Sequence, residues 1–214
     1  MKAAPQIAGL GFRVHSGWAA AVAVAGPVKA PQVVLRKTII IADPAIPGSK
    51  QPYHAAQKLG LKQAETLVRR CTASTRALAR RAVRGIVAEL RTKGLQPGGA
   101  CILLSSGREL GPLAAILASH PRIHTAEGVF FREALRRACR RSRVTVTGVK
   151  EREITAHAAA ALRLQAGTLR RRAAQMGRTL GPPWRQDEKL AALAAWLMLA
   201  GPKASKLRRP KSSR

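Results

Sequence analysis

"GFRVHSGWAAAVAVAG" (residues 11–26) is two apolar runs broken by "HSG". Extended outward, the runs become "QIAGLGFRV" (6–14) and "WAAAVAVAG" (18–26), and "PQVVLRKTIII" (31–41) follows after a Gly-Pro turn. Three β-rich segments joined by short turn-like links predict an antiparallel meander. "ADPAIPGSKQP" (42–52) then supplies three prolines and a glycine, which predicts a loop. Two side chains stand out in the first run: Arg13 and His15 interrupt an otherwise apolar strand.

Beyond the loop the period changes. From about Pro52 to Lys93 the pattern is helical. At roughly 100° per residue, Arg69, Arg76, Arg80, Arg84 and Arg91 share one stripe, with Leu67, Leu78, Ala82, Ile86 and Leu90 opposite. Gly94 and Pro97-Gly98-Gly99 are expected to end that helix. "ACILLSS" (100–106) reads as a buried strand, and Gly111-Pro112 opens a short helix to about Ser119. "HTAEGVFFREALRRACRRS" (124–142) is a further helix and "RVTVTGV" (143–149) a strand. "EREITAHAAAALRLQ" and "AGTLRRRAAQMGRTL" are helical, "GPPW" breaks the chain, and "QDEKLAALAAWLMLA" (186–200) is the last helix. The order is β-β-β-α-β-α-β-α, an α/β chain with a mixed five-stranded sheet flanked by helices. One domain over residues 1–201 and a basic, disordered tail over 202–214 is the simplest division.

Charge points to a partner. The 214 residues hold 39 Lys plus Arg against 10 acids, a formal +29, so polyanions are attracted at long range. DNA or structured RNA is the natural partner; an arginine-rich composition with no such role is the competing reading. The basic clusters are the stripe from Arg69 to Arg91, "RRACRRSR" (136–143) with Arg136 and Arg140, "RRR" (170–172) and the tail. Aromatics are only 3%, which argues against base-stacking platforms and for backbone-dominated, salt-dependent binding. The three cysteines (Cys71, Cys101, Cys139) form no C-x-x-C pair and are expected to be free and buried. No leader pattern and no apolar run of about 20 residues is visible, so a cytoplasmic protein without a membrane span is expected.

"SHPRIHTAEGVFF" (119–131) carries the densest chemistry. His120, His124 and Glu127 are spaced by four and three, and on one continuous helix they would share a face able to hold zinc. Pro121 opposes that reading, because it marks a helix start and would leave His120 in the preceding loop. The competing reading makes His124 or Thr125 a cap and Glu127 a favourable first-turn acid. Ser105, Ser106 and Gly107 follow a buried strand, where backbone N–H groups often meet a phosphate, but they match no phosphate-loop pattern.

The element order, with a hairpin reading G-x-x-x-x-S-G-W-A at Gly11 to Ala19, resembles the ribonuclease H-like superfamily, in particular its Holliday-junction-resolvase-like branch. Gly11, Gly17 and Trp18 match the family's hairpin, and Arg13 falls on its first-strand aspartate position. The resemblance implies a second acid at or after the fourth strand, where Glu109 is nearest, and a third near the start of the last helix. Asp187 fits that third place, followed on its face by Ala191, Ala194 and Ala195. Glu151 and Glu153, directly after the fifth strand, would lie close to it. A nuclease of this family would carry Mg²⁺ or Mn²⁺ between its carboxylates. Arg13 cannot ligate a cation; it could pair with Asp187 instead. The expectation is a nucleic-acid-binding protein, with Arg13, Arg69, Arg76, Arg80, Arg84, Arg136 and Arg140 toward phosphate and the metal-dependent site lost or remodelled. An active nuclease using Asp187, Glu109, Glu127 and Glu151 is one alternative, and a scaffold with no nucleic-acid role is another.

Overall fold

The turn at Ser16-Gly17 sets the sheet. Gly17 has φ of 84°, a backbone state that favours glycine, and a Cβ there would lie 2.8 Å from the Ala42 methyl. It joins β1 (Gln6–His15) to β2 (Trp18–Ala25), antiparallel with His15 opposite Trp18. The fold comes from a computed structural model that describes residues 6–105 and 110–201. β3 (Gln32–Ile40) pairs antiparallel with β2. β4 (Leu95–Leu104) lies parallel to β1 and β5 (Val146–Lys150) parallel to β4, so the order is β3-β2-β1-β4-β5. This is the mixed five-stranded sheet that the element order implies.

One face carries α2 (Leu61–Thr92) and α4 (His120–Arg141), with the short α1 (Pro52–Gln57) and α3 (Leu113–Leu117) beside them. The other carries α7 (Gln186–Leu199), with α5 (Ile154–Leu162) and α6 (Ala166–Gln175) packed around it. The two-residue period of β1 divides its side chains between these layers. Ala8, Leu10, Phe12 and Val14 enter the core with Val83, Ile86, Phe131 and Leu135. Burial of a side chain such as Phe12 contributes about 1.5–3 kcal/mol. Gly9, Gly11, Arg13 and His15 face α7.

Several expected boundaries move, each for a local reason. The helix expected over 52–93 breaks at Lys58–Gly60, where extended Gly60 starts α2 afresh. Its buried stripe is Cys71, Thr75, Ala79, Val83, Ile86 and Leu90, with Leu67, Leu78 and Ala82 only half-buried at the margin. Pro97-Gly98-Gly99, expected as a helix stop, lies inside β4, at a register shift against Ala8 and Gly9 of β1. An irregularity of that kind tolerates a residue with no N–H to donate. β5 starts at Val146 and not at 143, because Arg143 takes a left-handed φ of 58° as the chain leaves α4. His120 is the first residue of α4, not part of a loop before it: Pro121 sits in the first turn, where its missing N–H costs nothing. The tail over 202–214 lies outside the described residues, as does Ser106–Glu109.

Candidate functional site

α7 lies on β1 without side chains between the two backbones. A Cβ on Gly11 would stand 1.9 Å from the Ala191 carbonyl oxygen, and one on Gly9 2.1 Å from that of Ala195. Four residues of helix rise about 6 Å and two residues of strand about 6.6 Å, so the pairings repeat in step along the two elements. One further step in the same direction brings Asp187 onto Arg13 and His15. The glycine pattern of β1 and the alanine pattern of α7 therefore place the carboxylate.

Arg13 holds two acids at once. Its Nη1 donates to Asp187 Oδ1 at 2.5 Å, while Nε and Nη2 donate to the two carboxylate oxygens of Glu151 at 2.9 and 2.7 Å. That fork on Glu151 is the bidentate geometry for which a guanidinium is suited. His15 Nε2 lies 2.6 Å from Asp187 Oδ1, and the ring stacks on Trp18 with centroids 4.3 Å apart. The hydrogen bond to Glu151, opposed by burial and reinforced by Asp187, makes Arg13 harder to deprotonate than usual. Burial pushes Asp187 up, but bonds from His15 and Arg13 with their charge outweigh it and hold the carboxyl below its ordinary value.

This donor set does not fit a pair of hard divalent cations. The Asp187 and Glu151 carboxylates face a guanidinium that occupies the place between them, and Asp187 Oδ1 already meets both Arg13 and His15. A cation placed there would have to displace a group of its own sign. Glu127, expected in the same set, takes no part in this network. It is buried on α4, and its Oε1 accepts from the backbone N–H groups of Tyr53 and His54 at 2.8 and 3.1 Å. Burial, offset in part by those two bonds, pushes its pKa up to about 7. Glu109 lies outside the described residues.

Beside Glu127 three imidazoles converge. His120 and His124, on consecutive turns of α4, place their Nε2 atoms 2.9 Å apart. The third member is His54 of α1, with its ring centroid 4.8 Å from that of His124 and 5.4 Å from that of His120. Glu127 supports this group through His54 Nδ1, 3.3 Å from Oε1, instead of standing beside the two α4 histidines as a ligand. A cavity of about 240 Å³ between the ends of β1 and β4 is lined by His15, Ser16, His54, Ser105, His124, Glu127 and Arg132. Arg132 crosses its wall, donating from Nε to the Leu103 carbonyl at 2.9 Å and from Nη1 to Ser105 Oγ at 3.2 Å.

The expected phosphate-binding arginines separate into groups. Arg80 and Arg84 line a groove of about 930 Å³ between α2 and the end of α4, joined there by Arg81, Arg91, Arg141 and Arg143. No acid lines it. Arg69 and Arg140 are exposed elsewhere on the same two helices, and Arg76 lines a separate cleft with Tyr53 and Phe130. Arg136 turns to Glu133 at 2.7 Å, and Arg13 is bound to its two carboxylates. Sequence reasoning missed His54, Arg81 and Arg132 altogether. For Arg81 the signal was present, since it borders the arginine stripe one step round the helix. His54 and Arg132 gave none, because their partners are distant in the chain.

No family model matches the chain, and no curated protein matches it. Among solved structures it is similar to T. thermophilus RuvC in complex with Holliday junction substrate, at 11% identity and a TM-score of 0.49, over 89% of this chain and 90% of that one. It is also similar to Thermus thermophilus RuvC at 11% identity and a TM-score of 0.46, over 88% and 91%. No helix among the described residues is long and apolar enough to cross a membrane.

Proposed function

We propose that this protein binds nucleic acid through the phosphate backbone, using the arginine groove of α2 and α4, and that its carboxylate centre is closed by Arg13 and does not work as a two-metal nuclease. The observation that carries the reading is the groove: six arginines from α2, the end of α4 and the residue two beyond it line one concave surface, with no acid among the described lining residues. A concave cationic surface attracts a polyanion more strongly than the same charges spread over a convex face. Its residues are poor in aromatics, so it recognises backbone charge and shape and not base identity. The closed centre is supported by the bonds of Arg13 to Asp187 and Glu151.

The test is fluorescence anisotropy with labelled duplex DNA, a four-way junction and hairpin RNA, each with and without Mg²⁺ or Mn²⁺. If about six phosphates are neutralised, affinity falls roughly 10³-fold between 50 and 200 mM salt. Arg80→Ala with Arg84→Ala reduces the salt slope by about two and weakens all backbone-bound substrates alike. Absence of binding at low salt leaves only a scaffold role. Metal-dependent cleavage that is lost in Asp187→Asn overturns the closed-centre reading in favour of an active nuclease that uses Asp187.

A further inference from the structure

The chain has five histidines, and three of them meet at one point formed by α1 and α4. We propose that His54, His120 and His124 form a mononuclear site for a borderline divalent transition ion, with zinc as the natural occupant. The proposal is independent of the nucleic-acid reading, which uses neither these residues nor this end of α4.

Four features support it. One candidate nitrogen from each imidazole lies within 4.8 Å of the others. Nitrogens bound tetrahedrally to zinc at 2.0–2.1 Å stand roughly 3.3 Å apart, so the cluster needs only side-chain adjustment to close on an ion. His120 and His124 are exposed, and their rotamers have room for that adjustment. Second, at 2.9 Å the Nε2 atoms of His120 and His124 cannot both carry a proton, so one presents its lone pair to the other. An ion would replace that single shared proton with a bond to each nitrogen.

Third, His54 has the orienting partner that metal-bound imidazoles commonly have. Its Nδ1 faces Glu127 Oε1 at 3.3 Å, leaving Nε2 as the nitrogen free to ligate. Glu127 is itself fixed by two backbone N–H groups of α1, and its other carboxylate oxygen is buried without a hydrogen-bond partner among the described residues. This buried, half-satisfied carboxyl group lies against His54, where a bound cation would offset the cost of its burial. Fourth, both His54 and His124 line the 240 Å³ cavity. Three protein ligands and access to a cavity match an open-position site more closely than a closed structural one. Arg132 on the same cavity wall suits an anionic fourth ligand, either hydroxide or a phosphate oxygen.

The experiment is titration of the tag-free, chelator-stripped full chain with CoCl₂ and ZnCl₂, followed by visible absorption, calorimetry and thermal melting. The expected result is one equivalent of Co²⁺ giving the intense d–d bands of a four-coordinate ion, which Zn²⁺ bleaches by displacement. Zn²⁺ also raises the melting temperature. His120→Ala with His124→Ala removes both signals; the two side chains are exposed, so the fold survives their loss, and far-UV circular dichroism checks this. Glu127→Gln, which keeps the shape and alters only the orienting partner, weakens Zn²⁺ roughly 10–100-fold. No saturable binding of either ion overturns the proposal. So does one-equivalent binding that persists in the double variant, because the ion would then be held elsewhere.

Discussion

Replacing Arg13 measures directly what stands at the centre of the fold. Arg13→Ala removes three charge-assisted hydrogen bonds, two to Glu151 and one to Asp187, and leaves both carboxylates facing the gap. Such bonds are worth about 1.5–3 kcal/mol each when well shielded. Here Arg13 and Asp187 are about one-fifth exposed and Glu151 37% exposed, so solvent screening brings each to roughly 1 kcal/mol. His15 stays on Asp187 and limits the damage. The expected loss is about 2–3 kcal/mol, or roughly 5–10 °C in melting temperature for a chain of this size. Arg13→Met retains the apolar stem and separates lost charge from lost packing. Arg13→Asp goes further, because it adds a third carboxylate where the guanidinium stood. In metal-free buffer it is at least as destabilised as Arg13→Ala. With a dissociation constant on the order of 1 mM, 10 mM Mg²⁺ then returns about 1.4 kcal/mol, a rise of roughly 3–5 °C. Differential scanning calorimetry of the variants with and without Mg²⁺ provides the readout. A loss below about 0.5 kcal/mol in Arg13→Ala would refute the idea that Arg13 ties the centre together. An equal Mg²⁺ shift in the wild type would refute its exclusion of hard cations.

Three further outcomes follow from the same geometry. Gly11→Ala prevents folding or lowers stability by more than about 3 kcal/mol, and Ala191→Gly does not rescue it, because the clash is with a backbone oxygen; solubility and urea melts decide. The Asp187 carboxyl is held below its unfolded value of about 3.9, so its contribution is present above that pH and lost as pH falls through the folded value. Melts from pH 6 to 2.5 should therefore show Asp187→Asn converging with the wild type at the acid end. Cys71, Cys101 and Cys139 are fully buried, and burial pushes Cys101 and Cys139 up to about 12. A thiol reagent should label none of the three until the chain is denatured, and rapid native labelling would contradict the packing.

Legibility in the sequence follows the range of the forces involved. The hairpin was legible because a turn glycine and two apolar runs are local, whereas the Arg13–Asp187 pair came only through the family resemblance; the step of glycines in β1 against alanines in α7 that sets it is a tertiary feature. Pro97-Gly98-Gly99 misled as a helix stop because the partner that makes it a strand, residues 8–9 of β1, is far away in the chain. The histidine cluster was half visible. His120 and His124 share a helix face by spacing alone, whereas His54 joins them only because α1 packs on α4. Glu127 had the spacing of a ligand, but its carboxylate is taken by the start of α1, an arrangement no local pattern shows.

The two charged regions lie at opposite ends of the sheet, and this bears on how they could work together. Arg13 and His15 end β1, and Glu151 follows β5 directly, so the carboxylates gather at the C-terminal ends of parallel strands. In open α/β sheets that end is where ligands meet reacting groups. Arg91 leads instead into β4, and Arg141 and Arg143 lead into β5, so this part of the groove belongs to the N-terminal end. A nucleic acid held only in the groove therefore keeps its phosphates away from Asp187 and Glu151. Binding without cleavage then needs no special restraint at the centre. If binding and the centre are separable in this way, Arg13→Met lowers stability while leaving the salt slope of nucleic-acid binding unchanged. A slope that falls by about one in Arg13→Met would instead place Arg13 on a phosphate and bring the two ends of the sheet into one binding surface.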